Sequence, residues 1–398
     1  MKIKRYALLI AIPCLILVLL AVFAARTPGA KAASAKSSCS WQVVSAPTAG
    51  QGTHLYSMAA LSKSDIWSVG EYLSTGSGGA TKTLIENWNG SQWSIIPSPS
   101  IGKNDNSLGG AAAVSTNDVW AVGSAVIGSP FQYKVLIEHW NGTKWYVMPG
   151  PVPSQEGGGL SSVSVVSAND IWAVGTYYNN GFTNYTLAAH WDGKQWNMVS
   201  TPNPQSGGNY LNSVVALSST DVWAVGGSFS GTGAALSLVE HWDGTQWSVI
   251  SSPNPGAGYN DLSSVSAVSA NDIWAVGDYY NRHKSGDKTL VEHWDGTQWS
   301  VVSSPSVNKV KNSLSQVAAL SATNIWAVGY TEDQGRLAPE QTLIEHWDGT
   351  NWRITSSPNP GSNNYNILNA VTGVPGSSQV WTIGAEGLYY GDPLTAYC

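Results

Sequence analysis

Short runs of alternating apolar and polar residues, separated by Gly, Asn, Asp and Pro, fill the chain from residue 39 to residue 398. Runs with this period of two predict β-strands rather than helices. Within residues 262–302 the runs LSSVSAVS, DIWAVG, TLVEHW and TQWSVV follow one another. An Asn-Asp step precedes the second run, and an Asp-Gly step typical of a two-residue hairpin follows the third. The pattern predicts four consecutive antiparallel strands, with no helix in the folded part of the chain.

This four-strand unit recurs about every 52 residues. A strand like DIWAVG occurs seven times, an HWDG-like segment six times and a further Trp-initiated strand seven times, which together account for all 20 tryptophans. Four antiparallel strands form a propeller blade, so seven units predict an all-β, seven-bladed β-propeller. Because the tryptophans repeat strictly within strands, we expect them to pack between blades rather than to stack on sugars.

The repeat unit resembles those of known propellers. An apolar strand ending in Gly, a variable loop, a W-(N/D)-G turn and a final Trp resemble kelch-type repeats, and WDGTQW is similar to tectonin-type repeats. The resemblance covers about nine tenths of the chain. It implies the propeller fold but no single activity, since such propellers serve as enzymes, lectins and protein-binding platforms.

The amino terminus has the layout of an export signal. Basic residues 1–6 precede an apolar run, 7–25, and a stretch of small residues, 26–38. This order predicts a signal peptide over 1–25, either cleaved or retained as a membrane anchor, followed by a flexible spacer over 26–38 and the propeller over 39–398. We therefore expect a secreted or surface-anchored, monomeric protein.

The last unit has its first two strands but ends at LTAYC, without a WDG turn or a final Trp strand. The segment SWQVVSAP near the start of the propeller supplies the missing strand, which predicts a composite seventh blade. Aligning this blade with the intact ones places Cys39 and Cys398 at the positions that flank the Asp-Gly step, as a facing pair within disulfide range. In an exported protein, we expect these two cysteines to form a disulfide.

Charge excludes one class of partner. Only 11% of the residues are charged, against about 25% in an ordinary globular protein. Six basic residues and no acidic ones lie within residues 1–38, so residues 39–398 hold 13 basic and 25 acidic residues. Because this surface would repel phosphate, nucleic acid is not an expected partner.

The residues that could carry catalysis are themselves repeated. A catalytic site is usually singular, so we interpret the repeated His and Asp positions as hydrogen-bonded pairs that stabilise each blade. The sequence lacks a cysteine for the Tyr–Cys crosslink of copper radical oxidases and has too few arginines for a sialidase. We expect no cofactor and no metal, and interpret Glu332 and Asp333 as solvated. The repeated residues are His139, His190, His241, His293, His346, Asp65, Asp118, Asp170, Asp221 and Asp272.

The most variable segments are the loops that follow AVG and SPNP, which an up-and-down blade places on one face. Tyr together with Asn, Gly and Ser is typical of adaptable recognition loops. The composition predicts a non-catalytic propeller that binds a glycan or a protein partner through this face. Two alternatives remain: a polysaccharide hydrolase or lyase with its site at the central channel, and a purely structural surface module whose tyrosines only cover the blade ends. The candidate binding residues are Tyr72, Tyr133, Tyr177, Tyr178, Tyr185, Tyr210, Tyr259, Tyr279, Tyr280, Tyr330 and Tyr365.

Overall fold

The structure, a computed structural model, describes most of residues 39–398. Within that range it leaves out 76–78, 129–131, 152–156, 180–182, 232, 281–285, 309, 334–338, 361–364 and 388–390. The predicted signal segment, 1–25, and spacer, 26–38, lie outside the described residues. Ser40–Cys398 forms one compact unit. Among the described residues, no helix is long and apolar enough to span a membrane.

The described chain forms 28 strands in seven antiparallel four-stranded sheets, which confirms the seven-bladed propeller. Blades 1 to 6 each use four consecutive strands, and blade 7 combines the first strand with the last three. Within each of blades 1 to 6, the first strand is innermost and the fourth is outermost. We call the face that carries the variable loops the loop face, and the face that carries the two short turns of each blade the turn face.

The strands of blades 1 to 3 are β2 (Gln51–Ser62), β3 (Asp65–Leu73), β4 (Thr81–Trp88), β5 (Trp93–Ile95), β6 (Asn106–Ser115), β7 (Asp118–Ile127), β8 (Gln132–Trp140), β9 (Trp145–Met148), β10 (Gly158–Ser167), β11 (Asp170–Tyr178), β12 (Asn184–Trp191) and β13 (Trp196–Val199). Those of blades 4 to 6 are β14 (Asn209–Ser218), β15 (Asp221–Phe229), β16 (Ala235–Trp242), β17 (Trp247–Val249), β18 (Tyr259–Ser269), β19 (Asp272–Tyr280), β20 (Lys288–Trp294), β21 (Trp299–Val301), β22 (Lys311–Ser321), β23 (Asn324–Glu332), β24 (Glu340–Trp347) and β25 (Trp352–Ile354). Blade 7 comprises β1 (Gln42–Val44), β26 (Asn366–Gly373), β27 (Val380–Glu386) and β28 (Asp392–Tyr397).

The WDG hairpin differs from the predicted two-residue turn. In blade 5, Trp294 faces Trp299, which leaves four residues in the turn. The side chain of Asp295 accepts hydrogen bonds from the backbone nitrogens of Thr297 and Gln298 at 2.8 and 3.0 Å. An Asp side chain that binds the backbone ahead of it stabilises such a turn, and this explains the Asp or Asn at the position.

Tryptophans join neighbouring blades, as the repeat pattern predicted. The second-strand Trp of one blade contacts the third-strand and fourth-strand Trp of the next, as Trp120 contacts Trp191 and Trp196 with ring centroids 5.1 and 5.6 Å apart. At the closing blade, Trp326 contacts Trp41 at 5.7 Å. Each contact buries a large aromatic surface between sheets that are not joined by a β-ladder, so these contacts help to hold the ring together.

The composite seventh blade and its disulfide are also confirmed. Strand β1 pairs with β28, and both Cys39 and Cys398 are disulfide-bonded. The predicted facing geometry of the two cysteines is wrong, because Gln42 faces Tyr397 and the same register sets Trp41 opposite Cys398. Cys39 lies two residues before Trp41, inside the turn, and reaches Cys398 from there, as expected for a turn of four residues rather than two.

The innermost strands surround a central channel with a volume of about 300 Å³. Each carries a β-bulge at an equivalent position, and the bulged residue lines the channel. Bulges re-aim side chains, which here exposes one residue of every blade to the channel. These residues are Tyr56, Gly109, Ser161, Asn212, Ser263, Ser315 and Asn369. Because none of them is charged, the channel wall at this level offers no acid or base.

Candidate functional site

Two facing positions in each blade form the loop-face rim of the channel. The first lies just before the Leu that recurs in every inner strand, and the second directly follows the Gly that recurs in every second strand. Only blade 5 has a carboxylate at both positions. In blade order the facing pairs are His54 and Glu71, Ser107 and Ser124, Gly159 and Thr176, Tyr210 and Gly227, Asp261 and Asp278, Ser313 and Tyr330, and Ile367 and Ala385.

The blade 5 pair lies in a pocket of about 560 Å³ on the loop face. Alternate side chains of a strand point to the same face of the sheet, so Tyr259 and Asp261 of β18 point the same way. Their register partners on β19, Tyr280 and Asp278, point to that face as well, and the four side chains meet in the pocket. Asn260 and Tyr279 point to the opposite face, where Tyr279 packs against the core. The residues that line the pocket are Tyr259, Asp261, Ser263, Asp278, Tyr280, Asp287, Lys311, Ser313 and Tyr330.

Asp261 is a buried carboxylate with several hydrogen-bond donors. Its side chain is 7% exposed, and burial raises its pKa above the ordinary Asp value. The hydroxyl of Tyr210, from blade 4, donates to Asp261 Oδ1 at 2.8 Å, and Asn212 Nδ2 donates to Oδ2 at 3.3 Å. Because these donors stabilise the charged form, they oppose part of the effect of burial.

Asp278 is equally buried but has fewer donors. It is 8% exposed, and burial raises its pKa to about 7, with a further contribution from the charge of Asp261. The hydroxyl of Ser313, from blade 6, donates to Asp278 Oδ1 at 2.9 Å. The second oxygen, Oδ2, accepts no hydrogen bond from any described residue. One carboxylate oxygen is therefore left for a ligand in the pocket.

The two aspartates act as a pair. Register partners on one face of an antiparallel sheet have Cβ atoms about 4.5 to 5.5 Å apart, so two negative charges here repel each other strongly. The pair therefore tends to hold one proton near neutral pH. Since Tyr210 and Asn212 both donate to Asp261, the charge is favoured on Asp261 and the proton on Asp278.

Lys311 supplies a cation at the rim of the pocket. Its Nζ lies 3.4 Å from the hydroxyl of Tyr330, 5.6 Å from the centre of that ring and 3.7 Å from Glu332 Oε2. Glu332 is the last residue of β23, which corrects its placement in a loop, and its ion-paired side chain remains 38% exposed. Burial raises the pKa of Asp287 on the same rim, while the charge of Lys311 acts in the opposite direction. The rim thus offers donors and acceptors close together.

The eleven candidate tyrosines do not form one surface. Tyr259, Tyr280 and Tyr330 line the pocket, and Tyr210 supports Asp261 from behind. The others lie elsewhere on the loop face. Tyr133 pairs with Tyr178 and Tyr177 with Tyr185, Tyr72 and Tyr279 pack against the core, and Tyr365 forms a bridge to Glu340.

The aspartates of the pocket were not found from the sequence, although a signal for them exists. Both lie at fixed places in the repeat, one residue before the recurring Leu and one after the recurring Gly. A position-by-position comparison of the seven units isolates blade 5 as the unit with acids at both places. Asp261 and Asp278 do not belong to a known catalytic or ligand-binding motif, so they stand out only by comparison with the other blades.

The repeated His and Asp residues form hydrogen-bonded pairs at the turn face. His139 Nε2 lies 2.8 Å from Asp118 Oδ1, and the same carboxylate oxygen accepts a hydrogen bond from Trp120 Nε1 at 2.8 Å. Blades 3 to 5 repeat the His–Asp contact, and blade 6 uses Asn324 opposite His346 at 2.9 Å. These pairs bind the second strand to the third within each blade, which is the expected structural role.

Comparisons with known proteins identify the fold. No family model matches the sequence, and no curated protein matches it. The structure is similar to that of YCF48 bound to D1 peptide, with a TM-score of 0.51 and 15% identity over 90% of this chain and 94% of that one. The structure of YjhT matches with a TM-score of 0.47 and 12% identity over 77% of this chain and 99% of that one. At these identities the likeness concerns the fold alone: the chain is a seven-bladed β-propeller.

Proposed function

We propose that this propeller binds a glycan, with one or two sugar units held in the blade 5 pocket. The observation that carries the proposal is the lining of the pocket, where three tyrosines stand beside carboxylates, hydroxyls and an ammonium group. Pockets that take small ligands have volumes of about 300 to 1,000 Å³, and this one lies within that range.

The chemistry of the lining favours a sugar. A pyranose ring presents C–H faces, which pack against aromatic rings, and hydroxyls, which both donate and accept hydrogen bonds. Tyr259, Tyr280 and Tyr330 supply the rings. Asp287 supplies an acceptor, Lys311 a donor, and Asp278 a carboxyl that can do either. Carboxylates accept strong hydrogen bonds from hydroxyls, so the hydroxyls of an uncharged sugar can serve as hydrogen-bond partners for the acidic groups of the pocket.

The proposed setting is outside the cytoplasm. A disulfide between the chain ends is compatible with that location, because disulfides persist in oxidising compartments. The main competitor for the pocket is a protein segment, since YCF48 has been solved with a bound peptide on the same fold.

Removal of one tyrosine ring from the pocket should weaken glycan binding. The variant Tyr280→Ala should weaken glycan binding by about 1 kcal/mol or more, roughly fivefold in Kd, because it removes an aromatic face from the pocket. Tyr178→Ala is the matched control, since Tyr178 occupies the same repeat position in blade 3 and packs against Tyr133 outside the pocket. A glycan array should first identify the ligand, and isothermal titration should then compare both variants with the wild type. Their melting temperatures should stay close together.

Two results would count against this proposal. Equal weakening by Tyr280→Ala and Tyr178→Ala would place binding outside the blade 5 pocket. An array without hits, together with capture of a protein that Tyr280→Ala no longer captures, would keep the pocket but replace the glycan by a protein segment.

A further inference from the structure

Blade 5 carries its two carboxylates at a place where the fold does not need them. Blades 2, 3, 4, 6 and 7 form the same sheet with uncharged residues at both facing positions. Two buried carboxylates that repel each other reduce the stability of the folded state. Residues that cost stability at a pocket are characteristic of a functional site. We therefore look for the role of this pair in the chemistry of the pocket.

The environments of the two aspartates differ in the way that acid catalysis requires. Asp261 has both oxygens hydrogen-bonded, to Tyr210 and Asn212, and is therefore held in place and stabilised as the anion. Asp278 has one oxygen bonded to Ser313 and the other left to the pocket. Two carboxyls in unequal surroundings take different roles, one donating a proton and one keeping its charge.

We infer that the pocket hydrolyses a glycosidic bond of its bound glycan, with Asp278 as general acid and Asp261 as the carboxylate that stabilises positive charge on the sugar. This inference rests on the proposed glycan binding. Glycosidases that retain anomeric configuration use two closely spaced carboxyls in one site, and Asp261 and Asp278 are register partners whose side chains line the same pocket.

The reaction consumes one water molecule. The Asp278 carboxyl gives its proton to the glycosidic oxygen as the bond from that oxygen to the anomeric carbon breaks, and the departing sugar leaves with a new hydroxyl. Positive charge then develops on the anomeric carbon and ring oxygen, beside the Asp261 carboxylate. Water enters from the vacated side, its oxygen bonds to the anomeric carbon, and its proton passes to the Asp278 carboxylate. Both aspartates regain their starting states, and the new anomeric hydroxyl has the configuration of the bond that was broken.

The test uses the full propeller and the glycan that the array identifies. Release of reducing ends should be measured for the wild type, Asp278→Asn and Asp261→Asn, with Glu71→Gln as the matched control. Glu71 occupies the position of Asp278 in blade 1 and lies outside the pocket lining. We expect Asp278→Asn to lose about 100-fold or more in kcat, as removal of a general acid does, while its glycan Kd changes less than about threefold. Glu71→Gln should keep the wild-type rate.

The pH profile gives a readout that a structural role would not move. Because Asp278 must be protonated to act, kcat/KM of the wild type should fall above about pH 7, the pKa of that group. NMR of the first product should show the retained anomeric configuration.

The outcomes separate the activity from the binding. Wild-type protein that binds the glycan but releases no reducing ends would overturn the hydrolysis and leave the binding proposal intact. Turnover that survives in Asp278→Asn would overturn the assignment of the acid. If the array gives no ligand, the same variants are assayed on aryl glycosides, and absence of turnover there would overturn the activity together with the binding.

Discussion

Reduction of the Cys39–Cys398 disulfide is expected to lower the free energy of unfolding by several kcal/mol. The bond closes a loop of about 360 residues, for which the chain-entropy relation gives an upper figure of roughly 6 kcal/mol. Strand β1 has only three residues, and its remaining attachment includes a 2.6 Å hydrogen bond from Thr395 Oγ1 to the carbonyl oxygen of Val44. Urea unfolding with and without reductant measures the loss.

Loss of the bond should also expose a defined part of the chain. Without the disulfide that holds Cys39, β1 can separate from β28. This exposes Trp41 and an unpaired strand edge. Limited proteolysis of the Cys39→Ser and Cys398→Ser double variant should cut near residues 40 to 50, and reductant should not change this variant further. Two free thiols in the folded wild type, seen by intact mass, would contradict the closure of the ring.

A second large effect concerns pH, because five blades bury one glutamate in the third strand. All five side chains are fully buried, and burial raises their pKa values from 4.5 to about 8, or to about 9 for Glu138. Most of their carboxylate oxygens accept no hydrogen bond from the described residues, although Ser252 donates to Glu292 at 2.6 Å. The residues are Glu86, Glu138, Glu240, Glu292 and Glu345.

The sign of the pH effect follows from these raised pKa values. Between about pH 4.5 and pH 8 the folded protein holds protons on these groups that the unfolded chain releases, so stability falls as pH rises. Each glutamate contributes a slope of up to about 1.4 kcal/mol per pH unit. The protein should therefore be most stable near pH 4 to 5 and clearly less stable at pH 8, as measured by urea unfolding across that range.

Replacement of the glutamates by glutamine provides the control. Blade 3 has Ala189 at the equivalent position, so the fold accepts a neutral residue there. Glu240→Gln should reduce the pH slope by about a fifth, and the fivefold Glu→Gln variant should remove most of it. A stability that rises between pH 5 and pH 8, or a slope that persists in the fivefold variant, would show that these groups are ionised in the folded state.

The architecture could be predicted from the sequence because every blade uses the same residues for the same packing and hydrogen-bonding contacts. Three tryptophans in each of six units and two in the closing one, the Gly within the second strand and the turn Asp or Asn recur at fixed spacing. The tryptophans map to contacts between blades and the turn residue to hydrogen bonds within its hairpin. The geometry of the closing disulfide was less predictable. It depends on the number of turn residues between Trp294 and Trp299, and an Asp-Gly step alone suggests two where the structure has four.

The candidate site was predictable only in outline. Loop variability pointed to the loop face, where the candidate pocket lies, but it could not divide the tyrosines, because packing of Tyr177 and Tyr279 against core residues of other strands is not visible in the loop sequences. The aspartates became visible once register placed Asp261 opposite Asp278. Residues that differ from the other blades at equivalent strand positions are more informative than loop variability, because the fold does not require them.

A crystal structure of the propeller with the glycan identified on the array tests the central claim most directly. We expect a sugar ring packed against Tyr280 or Tyr330, with its hydroxyls or glycosidic oxygen within hydrogen-bond distance of Asp278 Oδ2. A glycan bound at the turn face, or on the loop face beside Tyr133 and Tyr178 with an empty blade 5 pocket, would contradict it.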